Sequence, residues 1–103
     1  ETDDFTRAIR LRRTASNGVL LVFGHPNGLA CPRLGLSVSR KLGNAVVRNR
    51  WKRRLREAFR LEQTRLPAGL DLIVIPRATT EPEFASLRRS LVSLAARIAR
   101  KGA

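Results

Sequence analysis

Apolar and polar positions along this 103-residue chain change period several times, and each change marks an element. Between Asp4 and Arg10 the apolar Phe5, Ala8 and Ile9 fall on one side of a helical wheel with Asp3 or Asp4 as cap, so the spacing predicts a short first helix. Arg12, Arg13 and then Ser16-Asn17-Gly18 mark the turn out of it. Val19-Leu20-Leu21-Val22-Phe23 is a β-type apolar run, and Pro26-Asn27-Gly28 and Pro32 punctuate the loop that follows. Leu34, Leu36 and Val38 alternate with Gly35, Ser37 and Ser39, the pattern of a strand with one buried face and one small, polar face that can admit a ligand. Pro67-Ala68-Gly69 breaks the chain before residues 70–75, which read as a strand covered on both faces or nearly so. Phe84, Leu87, Leu91, Leu94 and Ile98 recur at spacings of three and four, which predicts an amphipathic closing helix beginning near Glu81-Pro82.

The most distinctive pattern lies between these segments. Asn44 is a good N-cap, and with no proline after it the chain can run helically to about Arg65. At 100° per residue Val47, Trp51, Leu55, Ala58 and Phe59 share one side, while Arg48, Asn49, Lys52, Arg53, Arg56 and Arg60 sweep the adjoining face. Arg50 and Arg54 sit on the far flank of the apolar stripe and read as solvated. Trp51 could stack on a nucleobase, but its place in the stripe favours a core role. The order helix, strands, basic helix, strand, helix makes the basic helix the crossover of a βαβ unit in one α/β sandwich spanning residues 1–103.

Composition sharpens this picture. At 43% hydrophobic, the chain can build one modest core and not two. The formal net charge is +13, from 21 Lys and Arg against 8 Asp and Glu, and nine of the bases lie between Arg40 and Arg60 with only Glu57 opposing them. So dense a row repels itself and is tolerable chiefly when a polyanion neutralises it, with nucleic acid the first candidate. Solubility alone needs far less charge.

Other functions lack their residues. Cys31 is the only cysteine, which excludes an intrachain disulfide and a cysteine zinc cluster and suits a reducing cytosol. No apolar run approaches the ~20 residues that cross a bilayer. The acidic start Glu1-Thr2-Asp3-Asp4 is the reverse of a signal peptide, and the lack of an initiating Met allows for a native N-terminus further upstream. His25, the only histidine, reads as an exposed residue of a Gly-His-Pro turn and not as a general base. Asp71 and Glu57 are lone carboxylates, and two-metal nuclease chemistry, which needs several acids, has no obvious home. Catalytic and metal-ligating residues of the chain's own are therefore not expected.

One run carries a resemblance. Gly35-Leu36-Ser37-Val38-Ser39-Arg40-Lys41, continuing through Gly43-Asn44-Ala45-Val46 and Arg48-Asn49-Arg50 to Lys52-Arg53 and Arg56-Glu57, resembles the protein subunit of bacterial ribonuclease P, whose basic helix is named for its Arg-Asn-Arg core. The likeness extends to Arg33-Leu34, Leu66-Pro67, Gly69 and residues 71–75. It implies an α+β fold of order αβββαβα with a left-handed βαβ crossover, where handedness rules alone give a right-handed one. It also implies an RNA-based enzyme that removes the 5′ leader of precursor tRNA in the cytoplasm, with the RNA subunit supplying the active site and Mg²⁺.

In that reading the chain's partners are the catalytic RNA and precursor tRNA. Arg40, Lys41, Asn44, Arg48, Asn49, Lys52, Arg53 and Arg56 match the family's RNA-binding positions. A cleft between the first helix and the open sheet face would take the single-stranded leader. Phe5 and Ile9, with Phe23, Ser37 and Ser39, align with it, and Arg12, Arg13, Arg40 and Lys41 would meet the backbone. Ile9 stands where the family more often has an aromatic, and Phe5 and Phe23 read equally well as core. Two rival readings fit a compact basic domain: a structural ribosomal protein, or a DNA-binding regulator with the basic helix in a major groove.

Overall fold

The computed structural model describes residues 13–78 and 80–101, so the expected first helix, with Phe5, Ile9 and Arg12, lies outside the described residues. In chain order the elements are β1 (Arg13–Ser16), β2 (Leu20–Pro26), β3 (Arg33–Leu36), α1 (Ala45–Glu62), β4 (Leu70–Pro76) and α2 (Phe84–Lys101). Short 3-10 turns at Arg40–Leu42 and Gln63–Arg65 flank α1. The four strands form one sheet in the order β1-β2-β4-β3. β1–β2 and β2–β4 are antiparallel, whereas β3 and β4 run parallel and are joined through α1, the expected βαβ unit. Among the described residues, no helix is long and apolar enough to cross a membrane.

β1 is Arg-Thr-Ala-Ser, with only Ala15 buried. It has no apolar alternation of its own and becomes a strand by pairing with β2. β2 runs past Phe23 to Pro26, because β4 pairs with it from Leu20↔Pro76 to Pro26↔Leu70. His25 is consequently a half-buried strand residue and not an exposed turn residue.

Strand alternation divides the sheet into two faces. Leu20 and Val22 of β2 and Leu72 and Val74 of β4 are completely buried on one face. Trp51, Leu55 and Ala58 of α1 and Leu87, Leu91 and Ile98 of α2 are equally buried, in the same apolar cluster. Both helices therefore cover the same side of the sheet. Trp51 belongs to this core, with no solvent exposure and an indole N–H that has no hydrogen-bond partner among the described residues. Gly24 lets α2 lie close, since a Cβ there would sit 2.7 Å from Ile98 Cγ2.

Candidate nucleic-acid interface

Three successive caps position the basic face. Ser39 Oγ accepts from the Lys41 amide at 3.1 Å and starts the 3-10 turn. Gly43 then takes φ 146°, a conformation L side chains rarely adopt, and a Cβ there would lie 3.0 Å from Val47 Cβ. Asn44 Oδ1 accepts from the Val47 amide at 3.0 Å and satisfies one of the orphan donors of α1. The Ser39–Asn44 segment is thus a rigid entry to the helix, and the side-chain oxygens of Ser39 and Asn44 are committed to the backbone.

Arg40, Lys41, Asn44, Asn49, Arg53 and Arg56 are exposed, and Arg48 and Lys52 are half-buried. All eight lie on α1 or on its entry. Arg48 Nε donates to the Gly43 carbonyl at 3.3 Å, so this guanidinium is tethered to the helix start. Lys52, Arg56 and Phe59 face Arg33, Leu34 and Leu36 across a groove of about 540 Å³ between α1 and β3. On the opposite flank, Arg53, Arg56, Arg60 and Phe84 line a second groove of about 740 Å³. Arg56 borders both and forms the crest between them. Glu57 pairs with Arg60, whose hydrogen bonds hold the carboxyl below its usual range, and so leaves the neighbouring cations uncompensated.

Arg50 and Arg54 are not merely solvated. Arg50 Nη1 pairs with Glu81 Oε2 at 3.1 Å, and Arg54 donates to the Pro82 carbonyl and lies 5.9 Å from the centroid of the Phe84 ring. Both fasten α1 to the segment that leads into α2. Sequence reasoning missed this because the partners lie about thirty residues downstream in a stretch with no periodicity.

The sheet face away from the helices carries Leu21, Phe23 and His25 on β2 opposite Ile75, Ile73 and Asp71 on β4. Phe23 is half-buried and Ile73 is 37% exposed. Gly35 extends this face across β3 beside Ile73, and exposed Ser37 follows it, its amide donating to the Val74 carbonyl at 3.1 Å. Phe23 and Ser37 thus belong to the side away from α1 and α2. Arg13 does not: it pairs with Gly24 and alternates with Thr14, which places it on the helix-covered side with Ala15.

One end of this face is polar. Arg33 Nε and Nη2 donate to Asp71 Oδ1 and Oδ2 at 2.7 and 2.8 Å, and Asn27 Nδ2 donates to Oδ1 at 2.9 Å. His25 Nε2 stands 3.6 Å from the same carboxylate. The Arg33 hydrogen bond chiefly, with help from Asn27, holds the Asp71 carboxyl below its usual range against the opposing effect of partial burial. Asp71 is therefore not a lone carboxylate but the hub of this corner.

Residues 1–99 match the Ribonuclease P family. The chain is 39% identical to the ribonuclease P protein component of Caldanaerobacter subterraneus subsp. tengcongensis, over 91% of this chain and 82% of that one. In structure it is similar to the RNase P protein of Thermotoga maritima in complex with 1-(4-fluorophenyl)-2-thiourea, at TM-score 0.81 and 36% identity over 94% of this chain and 95% of that one. The RNase P protein of Staphylococcus aureus superposes at TM-score 0.74 with 34% identity, covering 96% and 91% of the two chains.

Proposed function

The chain belongs to the ribonuclease P protein family, and from that premise we propose that it serves as the protein subunit of a ribonucleoprotein that removes the 5′ leader of precursor tRNA, binding the catalytic RNA through α1 and the leader on the open sheet face. The observation that carries this reading is the cationic row of Arg48, Lys52, Arg53 and Arg56 on a helix capped by Asn44, where the Glu57 carboxylate beside them is turned to Arg60. Such a row releases counterions when it meets phosphates, and this strengthens binding of RNA to the protein and of substrate to the complex. The helix itself is anchored by the buried Trp51 and Leu55, so the cations sit on a rigid element.

In this reading the reacting atoms belong to the RNA. Asp71, Glu57, Glu62 and Glu81 are each paired with an arginine. Among the described residues no three of His, Cys, Asp or Glu come together to hold a metal ion. Mg²⁺ held by the RNA subunit and substrate would supply the hydrolytic chemistry. The chain's own residues neutralise phosphates and orient the leader.

The test is to add the purified protein to a bacterial catalytic RNA at low Mg²⁺ and follow cleavage of precursor tRNA. Restored leader removal is expected, and protein rigorously freed of RNA should leave the substrate intact. Folded protein that fails to restore cleavage overturns the reading, as does RNA-free cleavage lost on replacing a single acid. A preference for folded RNA with a single-stranded extension, over duplex DNA and bare ribosomal RNA, separates this role from those of a regulator and a ribosomal protein.

A further inference from the structure

Much of the chain's positive charge lies away from α1. Helix α2, Phe-Ala-Ser-Leu-Arg-Arg-Ser-Leu-Val-Ser-Leu-Ala-Ala-Arg-Ile-Ala-Arg-Lys, contains no acid. Ala85, Arg89, Ser93, Arg97 and Arg100 are all exposed, and at spacings of four, four, four and three they form one stripe. From Arg89 to Arg100 this stripe runs about 16 Å at the helical rise. Cations in the last turn of a helix are favoured by its dipole, but Arg88 and Arg89 near the start gain nothing from it.

At the head of the stripe, a groove of about 350 Å³ opens between the end of α1 and the start of α2, with Arg65, Arg88, Arg89 and Ser93 in its lining. Glu62 lies in its wall with only 4% exposure. Its Oε2 accepts from Arg88 Nε at 2.5 Å, and its Oε1 stands 3.6 Å from Arg65 Nε. A buried ion pair adds little net stability, because desolvation offsets the attraction. What Glu62 gives the molecule is a fixed orientation of Arg88 at the groove.

The placement separates this surface from the one on α1. The Lys52 and Arg56 groove borders β3, at one edge of the sheet. Arg97 Nη1 donates to the Ser16 carbonyl of β1, at the other edge. No aromatic residue stands in the α2 stripe, and the Phe84 ring at the start of the helix is already approached by Arg54 and Arg88, each 5.9 Å from its centroid, so the stripe can grip a phosphate backbone but has no platform for unpaired bases. A paired RNA helix, which offers chiefly phosphates and 2′-hydroxyls, fits that chemistry.

We propose that the outer face of α2, with the Arg65–Arg88–Arg89 groove at its head, binds the backbone of a paired segment of the RNA subunit, so that the protein bridges two RNA segments from opposite edges of its helical layer. The inference rests on the function proposed above. It assigns the surface to the RNA subunit because a basic patch left uncovered in the assembled particle would capture RNA indiscriminately.

The test replaces Arg89, Arg97 and Arg100 together with Gln in the full chain and measures binding to the RNA subunit across a salt series, with backbone footprinting. The three residues are exposed, and thermal unfolding verifies the fold. The logarithmic salt slope should fall by roughly two to three, at ~0.7–0.9 per phosphate contact. One protected segment should vanish that the Lys52→Gln/Arg56→Gln variant keeps. Glu62→Gln removes no cation, so it should weaken protection of that same segment without lowering the slope. An unchanged slope and footprint in the folded triple variant would falsify the proposal, and so would a loss seen only with precursor tRNA. A wild-type chain that fails to bind the RNA subunit at all defeats the proposed function instead.

Discussion

Arg33 and Asp71, register partners on the parallel strands β3 and β4, are joined by two parallel hydrogen bonds of 2.7 and 2.8 Å. β3 is an edge strand of four residues, so this bidentate pair helps to set its register. The same carboxylate receives Asn27 from the β2–β3 loop, and Asn27 Nδ2 also donates to the Cys31 carbonyl at 3.2 Å. One acid thus ties an edge strand, a loop and the polar end of the open face together.

The pair makes a pH-dependent contribution to stability. Asp71 has its folded-state pKa lowered, mainly by the Arg33 hydrogen bond, so its stabilisation is present above the unfolded carboxylate value of about 3.9 and is lost as pH falls through the lower folded value. Asp71→Asn should lower stability by about 1–2 kcal/mol at neutral pH, and the gap to the parent should close in acid. Denaturant unfolding in a series from pH 7 down to about pH 2 checks this, and a gap that does not narrow below the unfolded carboxylate value of about 3.9 would assign the loss to packing.

A second expectation concerns the close approach of α2 to the sheet. Gly24→Ala places a methyl 2.7 Å from Ile98 Cγ2, inside a fully buried contact, and should cost about 1–3 kcal/mol through overpacking. Ile98→Ala alone should cost about 2–5 kcal/mol. Since the second change removes the atom that the first one strikes, the double variant should lose less than the sum. Strict additivity in thermal or denaturant unfolding would show that α2 shifts as a body instead.

Much of this was legible in the sequence wherever side-chain period and element coincide. The Asn44 cap, the α1 stripe of Trp51, Leu55 and Ala58 and the α2 repeat of Leu87, Leu91, Leu94 and Ile98 all stand where periodicity places them, whereas the alternation that runs from Leu34 to Ser39 forms a strand only as far as Leu36. α1 ends at Glu62, and its expected last turn tightens into a 3-10 turn over Gln63–Arg65. β1 was invisible because a short edge strand takes its hydrogen bonds from a partner and needs little apolar pattern. The Arg33–Asp71, Arg50–Glu81 and Arg88–Glu62 pairs join residues 26 to 38 positions apart, and no local rule reports such pairs. Glu62 carried one faint signal, a carboxylate falling on the buried side of an otherwise cationic helix.

The α1 face makes a salt-dependence prediction. If Arg48, Lys52, Arg53 and Arg56 each meet a phosphate, replacing all four with Gln should lower the logarithmic salt slope for catalytic RNA by roughly 0.7 to 0.9 per contact. Arg48 also holds the Gly43 carbonyl, so its single replacement should loosen the helix start as well, whereas Arg53→Gln should leave stability unchanged. A wild-type slope in the fourfold variant, with helicity intact by circular dichroism, would exclude this face as the phosphate contact.

Phe23 offers the sharpest separation of the two surfaces. It stands opposite Ile73 on the sheet face away from α1 and α2, half-buried and one position from the wholly buried Val22. Stacking requires unpaired bases, and in a precursor tRNA those at issue lie upstream of the cleavage site. Phe23→Ala should therefore weaken precursor tRNA binding to the assembled ribonucleoprotein by ~1–3 kcal/mol, the scale of one lost base–aromatic stack, and leave mature tRNA binding nearly unchanged. Truncating a packed Phe can also destabilise a fold by ~3–5 kcal/mol, so Phe23→Leu, which keeps apolar bulk and removes the aromatic face, is the companion variant. Precursor-selective loss in both variants, with unfolding temperature held in the Leu form, marks a leader contact. Equal losses for precursor and mature tRNA in a folded Phe23→Leu protein would return Phe23 to a packing role and shift leader recognition to other residues of the open face.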